Sequence, residues 1–255
     1  MRSAREVLAG PHLAVHEVTC ADDHAGWSKP EVSDDVQVVL VRQGMFRISC
    51  QGHRFTLDRF TGYIEMPGQE RSFAHPTGGD VCTAITIQGG LWQELVDEHP
   101  LPPAIHIDGR LDVAHRRLLR AGDQFTGVDE LASLLGRALS SHPLPVTAGP
   151  GRKALADRAR DALLADASVH LVEMARSLKV SPAHLSRTFH HHMGMTIGRF
   201  RNRVRVARAL DRLEAGDGLA AVAADLGFAD QAHLSRVMKE ETGRPPGALR
   251  RIVTE

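Results

Sequence analysis

Two stretches of this sequence repeat a set of side chains suited to reading DNA. Ala-His-Leu-Ser-Arg runs letter for letter at 183–187 and again at 232–236. An arginine aimed outward from a helix can donate paired hydrogen bonds to O6 and N7 of a guanine. The repeat extends well beyond the pentapeptide. Leu171–Arg187 reads LVEMARSLKVSPAHLSR, Leu219–Arg236 reads LAAVAADLGFADQAHLSR, and Gly194 and Gly243 follow the two copies. Duplication of this size points to one architecture used twice.

Each copy has the pattern of a helix, a tight turn and a second helix. Leu171, Met174, Ala175 and Leu178 fall at i, i+3, i+4 and i+7, the apolar stripe of a short helix. Ser181 and Pro182 supply a cap and a first-turn proline for the next helix. That helix is expected to bury Leu185, Thr188 and Phe189 and to turn Ala183, Ser186 and Arg187 outward. The second copy repeats this with Leu219, Val222, Ala223 and Leu226, then Gly227, Asp230 as cap, and Leu234, Val237 and Met238 inward. Its turn is one residue longer. A purely structural helical repeat would carry the same stripes, but an outward arginine after a tight turn in both copies favours DNA readout.

Other residues have metal-binding chemistry. His190, His191 and His192 end the first of these second helices. Consecutive helical residues point in different directions, so they are not expected to converge on one ion. A solvated helix end facing phosphate is the better reading. Cys20, His24, His75 and Cys82 are ligand types that could meet in space, and their sequence separation leaves that open beside three unrelated buried thiols. No metal and no cofactor is expected.

Ile197–Glu214, between the two copies, has an apolar stripe of Ile197, Phe200, Val204, Ala207, Leu210 and Leu213. Arg199, Arg201, Arg203, Arg205, Arg208 and Arg212 surround it. A helix of that length spans about 27 Å at ~1.5 Å per residue, against roughly 34 Å between successive major-groove faces. One helix could thus hold two reading heads on one face of a duplex.

Residues 153–251 resemble the DNA-binding domain of AraC/XylS-type transcription regulators, most clearly in the Ala…Gly-Phe…Leu-Ser-Arg…Gly-x-x-Pro run at 223–246. The resemblance implies that Ala183, Ser186 and Arg187 face one major groove of double-stranded promoter DNA. It implies that Gln231, Ala232, Ser235 and Arg236 face the next. Two positions depart from the family. Met238 stands in place of Phe, and Lys179 in place of the Gly of the first turn, which is expected to do without positive φ.

Composition sets the wider frame. At 255 residues, two domains are expected. A hydrophobic fraction of 42% is ordinary for a globular protein, and no apolar run is long enough to span a membrane. The N-terminus lacks the apolar core of a signal peptide. Three cysteines are too few for a disulfide framework, and a cytoplasmic chain is expected. Net charge is zero overall, yet residues 1–150 carry 13 Lys+Arg and 19 Asp+Glu, and residues 151–255 carry 18 and 12. A basic second half supplies phosphate attraction independent of sequence.

The first half reads as β-structure. His12–Thr19 alternates weakly, and Cys20–Pro30 is loop-like. Val36–Val41, Met45–Ser49, Phe55–Leu57, Tyr63–Met66 and Val81–Ile87 alternate between Gly and Pro turns. Short strands at this spacing indicate a small barrel or sandwich, and their order resembles the cupin-like barrel of many AraC-type regulators. Cupin enzymes hold a metal with clustered histidines, but the expected position after Pro67-Gly68 falls on Glu70 or Arg71. Such a barrel can hold a small ligand or be filled. The aromatic candidates to line it are Trp27, Phe46, Tyr63 and Phe73.

Leu91–Glu98, Leu111–Ala121 and Val128–Ser141 read as helices, with His99–Pro103 breaking the first. Leu131, Leu134, Leu135, Ala138 and Leu139 form a stripe that either packs on the chain's own barrel or pairs two copies. The resemblance favours a homodimer. Pro143–Pro145 and Thr147–Gly151 form a linker, and Lys153–Leu164 is the next helix.

The fold class is therefore α+β: a cupin-like barrel with helices over 1–145, a linker over 146–152, and an all-α domain over 153–255 with two helix-turn-helix motifs joined by a long helix. The function expected is sequence-specific, effector-controlled transcription regulation without enzymatic activity. RNA polymerase is a further partner, and activation and repression are both open. The alternatives are a regulator whose barrel only dimerises or meets a protein, and a cupin-type enzyme fused to a DNA-binding module.

Overall fold

A computed structural model describes residues 2–21, 24–96, 104–140 and 150–254. The chain forms two compact units, one of Met1–Ile107 with Ala121–Pro143, the other of Asp108–Arg120 with Leu144–Glu255. The proposed breaker His99–Pro103, and the linker up to residue 149, lie outside the described residues.

In the first unit the strands are β1 (Arg2–Ala9), β2 (Leu13–Cys20), β3 (Val36–Gln43), β4 (Phe46–Cys50), β5 (His53–Leu57), β6 (Thr61–Glu65), β7 (Arg71–Ala74), β8 (Asp80–Ile87) and β9 (Ala104–His106). They form a six-stranded sheet, in the order β1-β2-β8-β3-β6-β9, and a three-stranded sheet, β5-β4-β7. Val18, Val39, Val41, Tyr63, Cys82 and Ala84 from the larger sheet meet Phe46, Ile48 and Leu57 from the smaller in one buried cluster. The strand domain expected as a small barrel or sandwich is therefore present, as two packed sheets. β1 has no alternating pattern: Arg2 to Glu6 are exposed, so this charged edge strand is held by backbone pairing with β2.

Helices α1 (Gly89–Leu95) and α3 (Gln124–Leu139) complete this unit. On α3, Leu131, Leu134, Leu135 and Ala138 are buried within the chain's own fold and Leu139 is half-buried. The stripe is thus core and is already covered, which corrects its assignment as a dimer contact. Phe125, at 88% exposure, and Val128 are the exposed large apolar residues of this helix.

The second unit holds α2 (Gly109–Leu119), α4 (Pro150–Ala165), α5 (Leu171–Ser177), α6 (Pro182–Met193), α7 (Ile197–Glu214), α8 (Leu219–Asp225), α9 (Gln231–Thr242) and α10 (Pro246–Thr254). Pro150 and Gly151, the end of the expected linker, form the first turn of α4, where proline's missing N–H costs nothing. The caps fall where the sequence puts them. Ser181 accepts a hydrogen bond from the His184 N–H, and Asp230 from the His233 N–H. Gly194 and Gly243 close α6 and α9 in the left-handed conformation. Helix α2 precedes the linker in sequence but packs on α7, α9 and α10. Its Val113 joins Val206, Leu210, Val222, Leu234, Val237 and Leu249 in the core around the second motif.

The first turn does need positive φ, contrary to expectation. Lys179 sits at φ 57°, and its counterpart Gly227 at φ 71°. A side chain in this region costs roughly 1–2 kcal/mol. Lys179→Gly is accordingly expected to stabilise the second unit by about 1 kcal/mol, read as a higher urea midpoint. An unchanged or lower midpoint would contradict this account of the turn.

Candidate nucleic-acid interface and barrel cavity

Helices α6 and α9 present equivalent faces. On α6, Leu185, Thr188 and Phe189 are buried, Ala183 and Arg187 are exposed, and Ser186 is half-buried. On α9, Leu234, Val237 and Met238 are buried, Gln231, Ala232 and Arg236 are exposed, and Ser235 is half-buried. Burial of the apolar side fixes the rotation of each helix, so its polar side is fixed too. Phe189 packs on Phe200 of α7 with ring centroids 5.7 Å apart. Val237 and Met238 share the second motif's core with Leu210 and Leu213 of α7. One element, α7, therefore anchors both outward faces.

The repeated histidine is not equivalent in the two copies. His233 Nδ1 accepts a hydrogen bond from the Ala229 N–H at 3.3 Å, and its ring packs edge-on to Phe228. It braces the turn. His184 is exposed. The Ser235 hydroxyl donates to the Gln231 carbonyl at 2.8 Å, leaving its oxygen lone pairs for a ligand.

Several arginines around the α7 stripe serve the fold. Arg208 donates to the carbonyls of Leu164 and Ala165 at the end of α4, and Arg201 to that of Val169. Those at Leu164 and Ala165 are carbonyls that a helix end leaves without partners, and the one at Val169 belongs to the connection to α5. Arg205 lies 5.6 Å over the Phe228 ring, Arg212 bonds Asp217 and Asp225, and buried Arg203 lies 3.8 Å from Glu241. Arg199 is exposed. Most of the basic charge on this helix is thus engaged within the fold. His190 and His191 are exposed at the end of α6. The only His/Cys/carboxylate cluster found among the described residues lies elsewhere.

That cluster is in the barrel, which contains a cavity of about 140 Å³. Phe46, Tyr63 and Phe73 line it as expected; Trp27 does not. Trp27 is 38% exposed, with the Arg54 guanidinium 5.1 Å from its ring centre, and so is corrected from a lining residue to a surface one. The polar lining includes Arg71, His75, Asp80, Cys20, Cys82 and His24. Arg71, buried and paired with Glu65, follows Pro67-Gly68 where a cupin metal site would have histidine. A guanidinium cannot ligate a metal, so the residues present do not fit that site.

The loop-like segment 24–31 has its backbone running along β7. Ser28 N–H donates to Phe73 O, Glu31 pairs with Arg71, and His75 N–H donates to His24 O at 2.8 Å. This brings His24 beside His75, ring centroids 5.2 Å apart. In the β2–β8 ladder Cys20 stands opposite Asp80 and Val18 opposite Cys82. Gly79 allows the approach, because a Cβ there would overlap the Cys20 carbonyl.

Burial dominates the electrostatics of the cavity. It pushes the Cys82 thiol up to about 12, with Asp80 adding to the effect, so Cys82 is a neutral thiol at physiological pH. Burial likewise raises Tyr63, against the pull of Arg71, and raises Asp80, against that of His75.

The Helix-turn-helix domain family matches residues 174–252. Among solved structures, the C-terminal domain of AraT, a response regulator from Geobacillus stearothermophilus, is 25% identical over 38% of this chain and 84% of that one, with a TM-score of 0.36. Unsaturated fatty acid-bound ToxT from Vibrio cholerae is 12% identical over 96% of this chain and 97% of that one, with a TM-score of 0.37. KdgF from Halomonas sp. is 15% identical over 34% of this chain and 79% of that one, with a TM-score of 0.30. No helix among the described residues is long and apolar enough to cross a membrane.

Proposed function

We propose that this chain is a transcription regulator of the AraC/XylS type, a reading supported by the helix-turn-helix domain matched at 174–252, and that it reads promoter DNA with α6 and α9 under control of a small molecule held in the barrel. Ala183, Ser186 and Arg187 contact one major groove, and Gln231, Ala232, Ser235 and Arg236 the next. The observation carrying this reading is the matched pair of outward faces on two helices that both pack on α7. The effector part rests on the cavity, lined by Phe46, Tyr63 and Phe73 together with charged groups. Such mixed lining is the usual make-up of ligand sites.

Footprinting on the chain's own genomic neighbourhood tests the reading. The expected result is paired protected segments about 10 bp apart, one helical turn. Absence of protection at any site would remove the DNA-reading assignment.

The protein acts in the cytoplasm as a homodimer and meets RNA polymerase at the promoter. Its dimer contact must lie outside the Leu131–Leu139 stripe, since that surface is occupied. Light scattering at micromolar concentration checks the dimer, and a monomeric mass would end that part of the proposal.

A further inference from the structure

Cys20, His75 and Asp80 each offer one ligand atom, and these atoms all lie within 4.8 Å of one another. We propose that the three side chains form a binding site for a divalent transition-metal ion of the zinc class in the wall of the barrel cavity. The inference deepens the reading of that cavity as a ligand site and rests on it.

The geometry is that of a chelate lacking only a small closure. Ligand atoms around a tetrahedral zinc stand about 3.3–3.7 Å apart, given metal–ligand bonds of roughly 2.0–2.3 Å. His75 Nε2 is already 3.1 Å from Asp80 Oδ1. The buried Asp80 carboxylate thus sits between the His75 imidazole and the Cys82 thiol, and His75 Nδ1 has no hydrogen-bond partner although its side chain is nine-tenths buried. Buried polar atoms without partners call for an explanation such as an ion. Opposite register of Cys20 and Asp80 on β2 and β8 presents thiol and carboxylate together, and the backbone bond from His75 N–H to His24 O holds the imidazole over them.

The donor set selects the ion. A thiolate, a neutral imidazole and a carboxylate suit zinc and its neighbours rather than magnesium or calcium, which take oxygen. Their summed charge of about −2 balances a divalent cation. On binding, the Cys20 thiol becomes a thiolate and releases its proton to solvent. Three protein ligands leave a fourth position for solvent, an effector atom or His24. The Nδ1 of His24 contacts the Gly26 carbonyl at 2.8 Å. In the neutral ring, a donor at Nδ1 places the free lone pair on Nε2, the arrangement of many metal-ligating histidines. This site is separate from the cupin position filled by Arg71.

Cobalt(II) titration of the chelator-stripped full chain tests the site. One equivalent should produce a thiolate-to-cobalt charge-transfer band in the near ultraviolet, and added zinc should abolish it. Cys20→Ser should lose the band, Asp80→Asn should weaken cobalt binding about tenfold or more, and Cys82→Ser should keep the band. Circular dichroism verifies the fold of each variant; should Cys20→Ser fail to fold, loss of cobalt binding in His75→Gln makes the same case. Absence of a band at one equivalent, or a band retained in Cys20→Ser, overturns the proposal. Operator affinity with and without zinc separates the two readings. A bound ion that leaves affinity unchanged supports the metal site and counts against its role as effector. A chain that binds its operator but no metal overturns the site alone.

Discussion

Arg116→Met is expected to destabilise the helical unit by about 2–4 kcal/mol, the largest single-residue effect outside the apolar core. The Arg116 side chain is 1% exposed, yet it carries a full charge. Its guanidinium reaches Asp112 at 3.0 Å, Asp211 at 2.6 Å and Glu214 at 2.5 Å. Burial alone would lower its pKa, but Asp112 and Asp211 more than reverse that, so the proton is held above the ordinary arginine range. Methionine preserves much of the volume and removes the charge that Asp112, Asp211 and Glu214 share, while Arg120 stays on Glu214 at 2.7 Å. The full loss of a buried pair is about 3–5 kcal/mol. The lower figure applies because Asp211 is 48% exposed and can regain water. Arg116→Lys should fall between, since an ammonium cannot span three carboxylates as a planar fork does. Because α2 packs against α9 and α10, the loss should also weaken DNA binding through the second motif. Urea unfolding of the full chain, with a double-mutant cycle on Asp211→Asn, measures the effect. A change below ~0.5 kcal/mol would make this network incidental to stability.

Arg116 also illustrates what the sequence conceals. Spaced four residues from Asp112 on an amphipathic helix, it looks like half of a solvated surface pair. Only the tertiary fold reveals that α2, placed before the linker, belongs with the helices after it. The duplicated helices were legible because their order is local: a 3.6-residue stripe, a cap and a C-terminal glycine each lie within a few residues of the helix they define. The same locality made the outward residues of α6 and α9 readable. It failed at Lys179, where the steric demand of the turn outweighs the residue's poor fit. β1 was hidden because an edge strand needs no buried face. The cavity was half legible. Phe46 and Tyr63 alternate inward on strands seen in the sequence, whereas Trp27 is an aromatic in a loop with no strand alternation to aim it, and it lies on the surface. Cys20, His75 and Asp80 meet through strand register and a loop bonded to β7, which no sequence spacing encodes.

Arg236→Ala is expected to weaken operator binding by about 1–3 kcal/mol, roughly five- to 150-fold, and to relax base choice at one position. Arg187→Ala should do the same at a second position. The two faces lie on separate helices, so their losses should add in the double variant. The physical basis is the planar fork of arginine, which can donate to O6 and N7 of one guanine; lysine at either position keeps the charge and loses that pairing. Arg187 and Arg236 suit this role because each is exposed beside a buried anchor, Leu185 or Leu234, on the same helix. Truncation should therefore leave the fold unchanged. Ser235→Ala should cost little by comparison, because that hydroxyl proton is already committed to the Gln231 carbonyl. Fluorescence anisotropy on operator and random duplexes at matched salt distinguishes base reading from phosphate attraction. A base-reading arginine loses affinity for the operator alone. A phosphate clamp loses it equally on both duplexes and lowers the salt slope by about one unit, and that pattern at either position would overturn its assignment as a base-reading residue.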